Sequence, residues 1–166
     1  MSQTLLRLVT GSVLMSIALC ASAGNGNATY KDLNLTGVLH EVPGPSVRCP
    51  SNFGGSIAGY GDSSLLGRVV FLSSDCITPN GSNYTFSDGR LLITTMTGEQ
   101  IFASYSGQFV ATGVGTNYVF SNATFQITGG TGRYARASGG GDLTGGEDMV
   151  TGQGTLQLSG RVLTRE

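Results

Sequence analysis

The amino-acid sequence predicts an all-β domain: an antiparallel barrel of about eight strands, with a flattened β-sandwich as the second choice. Segments that alternate apolar and polar residues recur along the chain, each bounded by turn residues, and nothing outside the N-terminus carries a helical period. Charged residues make up 11% of the 166 residues and glycine numbers 27, whereas an ordinary soluble domain is roughly 25% charged. Barrel closure is favoured because it removes strand edges. Glycines inside strands suit its tight curvature.

The N-terminus comes first in chain order. One cation, Arg7, precedes an apolar run from Leu8 to Leu19, and Ala21-Ser22-Ala23 follows. That order is the n-region, h-region and small-residue cleavage site of a signal peptide. Its apolar core is about 12 residues, short of the roughly 20 that span a bilayer. Cys20 invites a lipoprotein reading, but Leu19 before it is larger than such a signal wants. The expected organisation is a signal peptide at 1–23, a flexible lead at 24–28 and a single barrel domain at 29–166, in a protein that is secreted or periplasmic after cleavage near Ala23.

In the first strand Leu33, Leu35, Gly37 and Leu39 share one parity, with Asp32, Asn34, Thr36 and His40 on the other. Residues 43–63, with Pro43, Pro45 and Pro50, show no sustained period and read as a long loop. A strand follows over Leu65 to Ser73. Pro79-Asn80-Gly81 reads as a turn, Tyr84 to Phe86 as the entry to a strand, Ser87-Asp88-Gly89 as another turn and Arg90 to Thr97 as the strand leaving it. Gln100 to Ala111 is next, with Ile101, Ala103, Tyr105 and Phe109 on one face. Tyr118 and Phe120 then differ in parity from Ala123, Phe125 and Ile127, which predicts a bulge at Ser121 and Asn122. The last two strands lie near Tyr134 to Leu143 and Val150 to Thr164.

Cleavage after Ala23 would remove Cys20 and leave Cys49 and Cys76. In an exported chain two cysteines most simply form one disulfide. A catalytic or metal-binding cysteine is the rival reading, and His40 is the one histidine that could assist it. With a single lysine, Lys31, and scattered arginines there is no basic stripe, which argues against nucleic-acid binding. No cofactor is expected.

The run from Phe125 to Gly139, FQITGGTGRYARASG, is similar to a phrase found in proteins built on the allene oxide cyclase barrel, dirigent proteins included. It also resembles small secreted bacterial proteins, as do Gly89 to Ile93 and Gly98 to Gly107. The likeness extends over roughly Leu65 to Val162. It implies an eight-stranded barrel with an apolar interior able to receive a small hydrophobic molecule. Plant members use that interior to fold a reactive oxylipin or to guide phenoxy-radical coupling. No catalytic residue of theirs aligns here position by position.

Several constellations have a plainer reading beside a chemical one. Gly130-Thr131-Gly132-Arg133-Tyr134-Ala135 has the form of a dinucleotide fingerprint, but that mechanism needs a helix at the glycines, and Ser138 to Gly141 forbids one. His40 reads as an exposed strand-end residue, because one histidine builds no ordinary zinc site. Asp142, Glu147 and Asp148 sit close enough in sequence to suggest Ca²⁺, yet their spacing matches no EF-hand and the expectation is solvated turn acids. Sequons at Asn27, Asn34, Asn80, Asn83 and Asn122 are glycosylation sites only in a eukaryotic secretory pathway.

The pocket candidates are Tyr60, Arg68, Tyr84, Arg90, Tyr105, Tyr118 and Tyr134, since a buried tyrosine or arginine needs partners and a ligand can supply one. The leading expectation is a non-enzymatic barrel that binds a small apolar molecule or a partner. Two alternatives stand beside it: a cofactor-free isomerase, cyclase or dirigent-type guide of a reactive substrate, and a structural or surface protein without a pocket.

Overall fold

The computed structural model describes residues 28–165. The proposed signal peptide and residues 24–27 of the lead lie outside them. Eight strands run β1 (Ala28–Pro45), β2 (Phe53–Ser63), β3 (Gly67–Asn80), β4 (Asn83–Thr95), β5 (Gln100–Ala111), β6 (Asn117–Gly130), β7 (Ser138–Asp148) and β8 (Gln153–Arg165). Each pairs antiparallel with its neighbour, and β1 pairs with β8 to close the barrel. The fold is therefore the expected all-β antiparallel barrel rather than the sandwich.

Inward residues follow the two-residue period of a strand. Leu33, Leu35 and Leu39 of β1 meet Val69 and Phe71 of β3, Ile93 of β4, Ile101 of β5, Phe125 and Ile127 of β6, and Leu158 and Val162 of β8 in one core. Burying each of these larger side chains stabilises the fold by about 1.5–3 kcal/mol relative to exposure. The outward faces of β6 and β8 carry exposed Thr124, Gln126, Thr128, Thr155, Gln157 and Ser159, unlike the apolar outer band of a membrane barrel. Among the described residues no helix is long and apolar enough to cross a membrane.

The two ends are closed differently. At one end a short 3-10 turn, Gly132–Tyr134, folds over the opening and buries Tyr134 and Ala137 in the core. Glu99 holds it there, accepting from the Arg133 backbone N–H at 3.2 Å and from Arg133 Nε at 2.9 Å, with Nη2 at 2.6 Å. At the other end Cys49, in the β1–β2 connection, is bonded to Cys76 of β3, as the cysteine count predicts.

Four local expectations need correction. Residues 43–63 are not one long loop, because β1 continues to Pro45 and β2 occupies Phe53–Ser63. The inward row of β2 reads Gly55, Ile57, Gly59, Gly61, so the strand has no apolar stripe to betray it. Glycine is required there by its neighbours: a Cβ at Gly59 would lie 2.2 Å from Phe71 Cζ.

The segments around Ser87-Asp88-Gly89 are one strand rather than two. The register shifts between Phe86 and Gly89, and Asp88 has φ of 50°, so the turn signal marks a bulge within β4. Tyr134 lies in the 3-10 turn and β7 begins at Ser138, because positive φ at Gly132 turns the chain inward. The last strand starts at Gln153, after a turn that Asp148 organises by accepting from the N–H groups of Val150 and Thr151, both at 2.9 Å. The parity change in β6 does mark a bulge, with Asn122 at φ of 49° and a register shift between Val119 and Thr124.

Candidate functional site: a carboxyl cluster inside the barrel

Continuing the inward row of β1 past Leu39 reaches Glu41. The same count places Asp75 after Val69, Phe71 and Ser73 on β3, Tyr105 after Ile101 and Ala103 on β5, and Glu147 after Leu143 and Gly145 on β7. These four side chains converge toward the disulfide end. Glu41 is 4% exposed, Asp75 3% and Glu147 6%, a degree of burial that carboxyl groups seldom reach without partners.

Asp75 has two donors. The Tyr105 hydroxyl donates to Oδ2 at 3.0 Å, and the Gly55 N–H to Oδ1 at 3.3 Å. The Glu41 and Glu147 carboxyls hydrogen-bond to each other, an arrangement that requires a proton between them. Oε1 of Glu41 has no hydrogen-bond partner. It lies against the backbone of β2, where a Cβ on Gly55 would sit 1.9 Å from it. Glycine at 55 thus leaves the room that the Glu41 carboxyl occupies.

Burial is the chief cause of the cluster's electrostatics. It pushes Glu41 up to about 9, with the nearby charges of Glu147 and Asp75 acting in the same direction. Burial also raises Glu147 to about 7, against the opposing effect of the Glu41 hydrogen bond. Asp75 is raised by burial too, despite its bonds to Tyr105 and Gly55 and the field of Arg48. Tyr105 stays a neutral donor, since burial and Asp75 hold its hydroxyl well above the usual phenol value.

The four groups line a cavity of ≈ 40 Å³ whose other walls include Leu39, Ile57, Phe86, Leu91, Phe109, Phe120 and Leu143. A single water needs about 10–15 Å³, so the space suits a narrow group rather than a bulky one. The Phe86 and Phe109 rings pack 4.7 Å apart, and Phe120 lies 5.5 Å from Phe109, forming an aromatic wall beside the acids. Among the described residues no lysine, arginine or histidine lines this cavity.

Of the pocket candidates, Tyr105 reaches the cavity. Tyr84 and Tyr118 are half-buried and pack on each other at 5.8 Å near the rim, where the Tyr118 hydroxyl donates to the Ser82 carbonyl at 3.3 Å. Tyr134 is buried at the opposite end. Tyr60 is 63% exposed, Arg68 faces outward with Asp62 at 3.7 Å, and Arg90 is exposed on the outer surface. These three point away from the interior.

Strand parity also divides the acids once grouped for Ca²⁺. Asp142 faces solvent, Asp148 braces its turn and Glu147 points inward. Among the described residues no group of three or more His, Cys, Asp or Glu side chains is placed to hold a metal ion. His40 is exposed.

Fold and site together define a closed antiparallel barrel whose apolar interior carries buried carboxyl groups near one end. No protein-family model and no curated protein matches this chain. The residues themselves therefore carry the functional argument.

Proposed function

We propose that the protein is an exported barrel that binds a small, narrow, largely apolar molecule in its interior, with the molecule's polar group held at the carboxyl cluster. The carrying observation is Glu41, a buried carboxyl with one oxygen unpartnered on the wall of an apolar cavity. Burying three carboxyl groups opposes folding, and such groups concentrate where function requires them. The disulfide supports an oxidising compartment. The eight-strand topology and enclosed apolar interior support membership of the allene oxide cyclase-like barrels.

A calorimetric and melting-shift screen of the purified protein against short alcohols, amines, phenols and acids tests the binding. Saturable heat from at least one class is expected, and silence from all would overturn the proposal. The mass of the exported protein tests the address, since a chain beginning at Gly24 is expected and an intact Met1 would contradict cleavage.

A second reading, cofactor-free proton transfer as in an isomerase or cyclase, is favoured by one observation. Glu41 and Glu147 are adjacent buried carboxyls, both pushed up by burial and coupled to each other, and paired carboxyls that share a proton serve as acid and base in sites that move protons. On this reading, a bound carbonyl compound incubated in D₂O acquires deuterium with the native protein and not with Glu41→Gln. Equal exchange in both would leave binding alone.

A further inference from the structure

We infer that the interior site selects ligands bearing a protonated amine, a short alkylammonium, over neutral or anionic ligands of the same shape. This rests on the reading of the barrel interior as a binding site and adds the chemistry of the ligand's head group.

Three features of the cavity carry it. Its polar groups are mostly acceptors: the Glu41, Asp75 and Glu147 carboxyls converge there, and the two hydroxyls, Tyr105 and Ser73, are engaged, Tyr105 with Asp75 at 3.0 Å and Ser73 with Tyr105. Oε1 of Glu41 is buried without a donor, and such an orphan acceptor is satisfied by an incoming N–H or O–H. Among the described residues no cation lines the cavity, so an ammonium would supply both the missing donor and a counter-charge for the carboxylate that forms as the shared proton leaves, which neither an alcohol nor a carboxylate ligand can do.

The walls fit the remainder of such a molecule. Leu39, Ile57 and Leu143 offer apolar surface for an alkyl stem, and the Phe86, Phe109 and Phe120 rings flank it. Aromatic faces also attract cations. The ≈ 40 Å³ volume limits the stem to a narrow chain.

The groups facing Glu41 fix the pH dependence. Glu147 approaches from β7 and Asp75 from β3, with Tyr105 of β5 behind Asp75. From β2 the neighbour is the backbone of Gly55. Arg48, in the β1–β2 connection, acts on Asp75 through its field while its guanidinium donates to the Asp88 carbonyl at 2.8 Å. An ammonium beside Glu41 and Glu147 displaces their shared proton, so docking releases a proton near neutral pH.

The test is an NMR shift titration of the purified protein with n-butylamine, n-butanol and sodium butyrate, each at matched ionic strength. Butylamine is expected to bind about tenfold more tightly than butanol, a preference of the size that a charge-assisted hydrogen bond supplies, with butyrate weakest. Butylamine affinity should rise between about pH 6 and about pH 9 while butanol affinity stays level. Glu41→Gln should erase the amine preference, so that butylamine binds no more tightly than butanol to the same variant. If butanol or butyrate binds as tightly as butylamine, the head-group inference is overturned and the binding reading stands. If none of the three perturbs Leu39, Ile57 or Leu143 resonances, both the inference and the interior binding site fail.

Discussion

Gly55 on the inner face of β2 shows how a missing side chain positions a present one. A Cβ on Gly55 would fall 1.9 Å from Oε1 and 2.7 Å from Cδ of Glu41. Gly55→Ala should therefore displace that carboxyl and destabilise the barrel by about 1–3 kcal/mol through overpacking, outweighing the roughly 0.4–1 kcal/mol that alanine gains from a stiffer unfolded chain. A lower denaturant midpoint is the expected result, and an unchanged or higher one would show that Glu41 does not occupy that space. The acids themselves were within reach of the sequence, because Glu41 and Glu147 continue inward rows already visible at Leu39 and Leu143. What concealed them was adjacency to turn residues: Pro43 and Gly146 make each look like a solvated loop acid.

Among the elements, the two closures at opposite ends make separate predictions. The Cys49–Cys76 bond closes a chain segment with a separation of 27 residues. Its reduction should lower stability by about 3–4 kcal/mol on the chain-entropy account, measured as the difference in urea unfolding with and without reductant; a difference near zero would mean that the β1–β2 connection is held by other contacts. At the far end Glu99 is the anchor of the 3-10 turn, and Arg133 holds its carboxyl down to about 2. Glu99→Ala should speed amide exchange at Tyr134, Ala135 and Ala137, whose N–H groups bond within that turn, while Ile101 in β5 keeps its protection. Uniform acceleration would instead indicate a general loss of stability.

Strand legibility followed the same physics. β1 and β8 carry large apolar residues on alternate positions and are plain in the sequence. β2 is hidden because Phe71 and Glu41, reaching from neighbouring strands, fill the space its own side chains would take. Reading β4 as two strands offset the omission of β2, so the expected count of about eight rested partly on compensating misreadings.

For the whole molecule, the carboxyl cluster sets how stability varies with pH. Glu41 titrates near 9 in the fold against an ordinary value of 4.5, and Glu147 near 7. The native state therefore holds protons that the unfolded chain releases. Their contribution is complete below about 4.5 and is lost as pH rises through the folded values, with a slope of up to ~1.4 kcal/mol per pH unit for each proton. Thermal unfolding followed from about pH 5 to about pH 9 should show a falling melting temperature. In Glu41→Gln that fall should be shallower and the stability at the alkaline end higher. A native profile that rises over the interval would contradict a protonated cluster.

Pairing of β1 with β8 sets Ala28 opposite Arg165, so the first and last described residues are neighbours across the seam of the barrel. A short linker can then join these positions without crossing the interior. The exposed β5–β6 connection around Gly113 and Gly115 is a place where the polypeptide can be reopened. The order of strands around the ring would be unchanged in such a rearranged chain, so the architecture does not depend on which connection between neighbouring strands is left open.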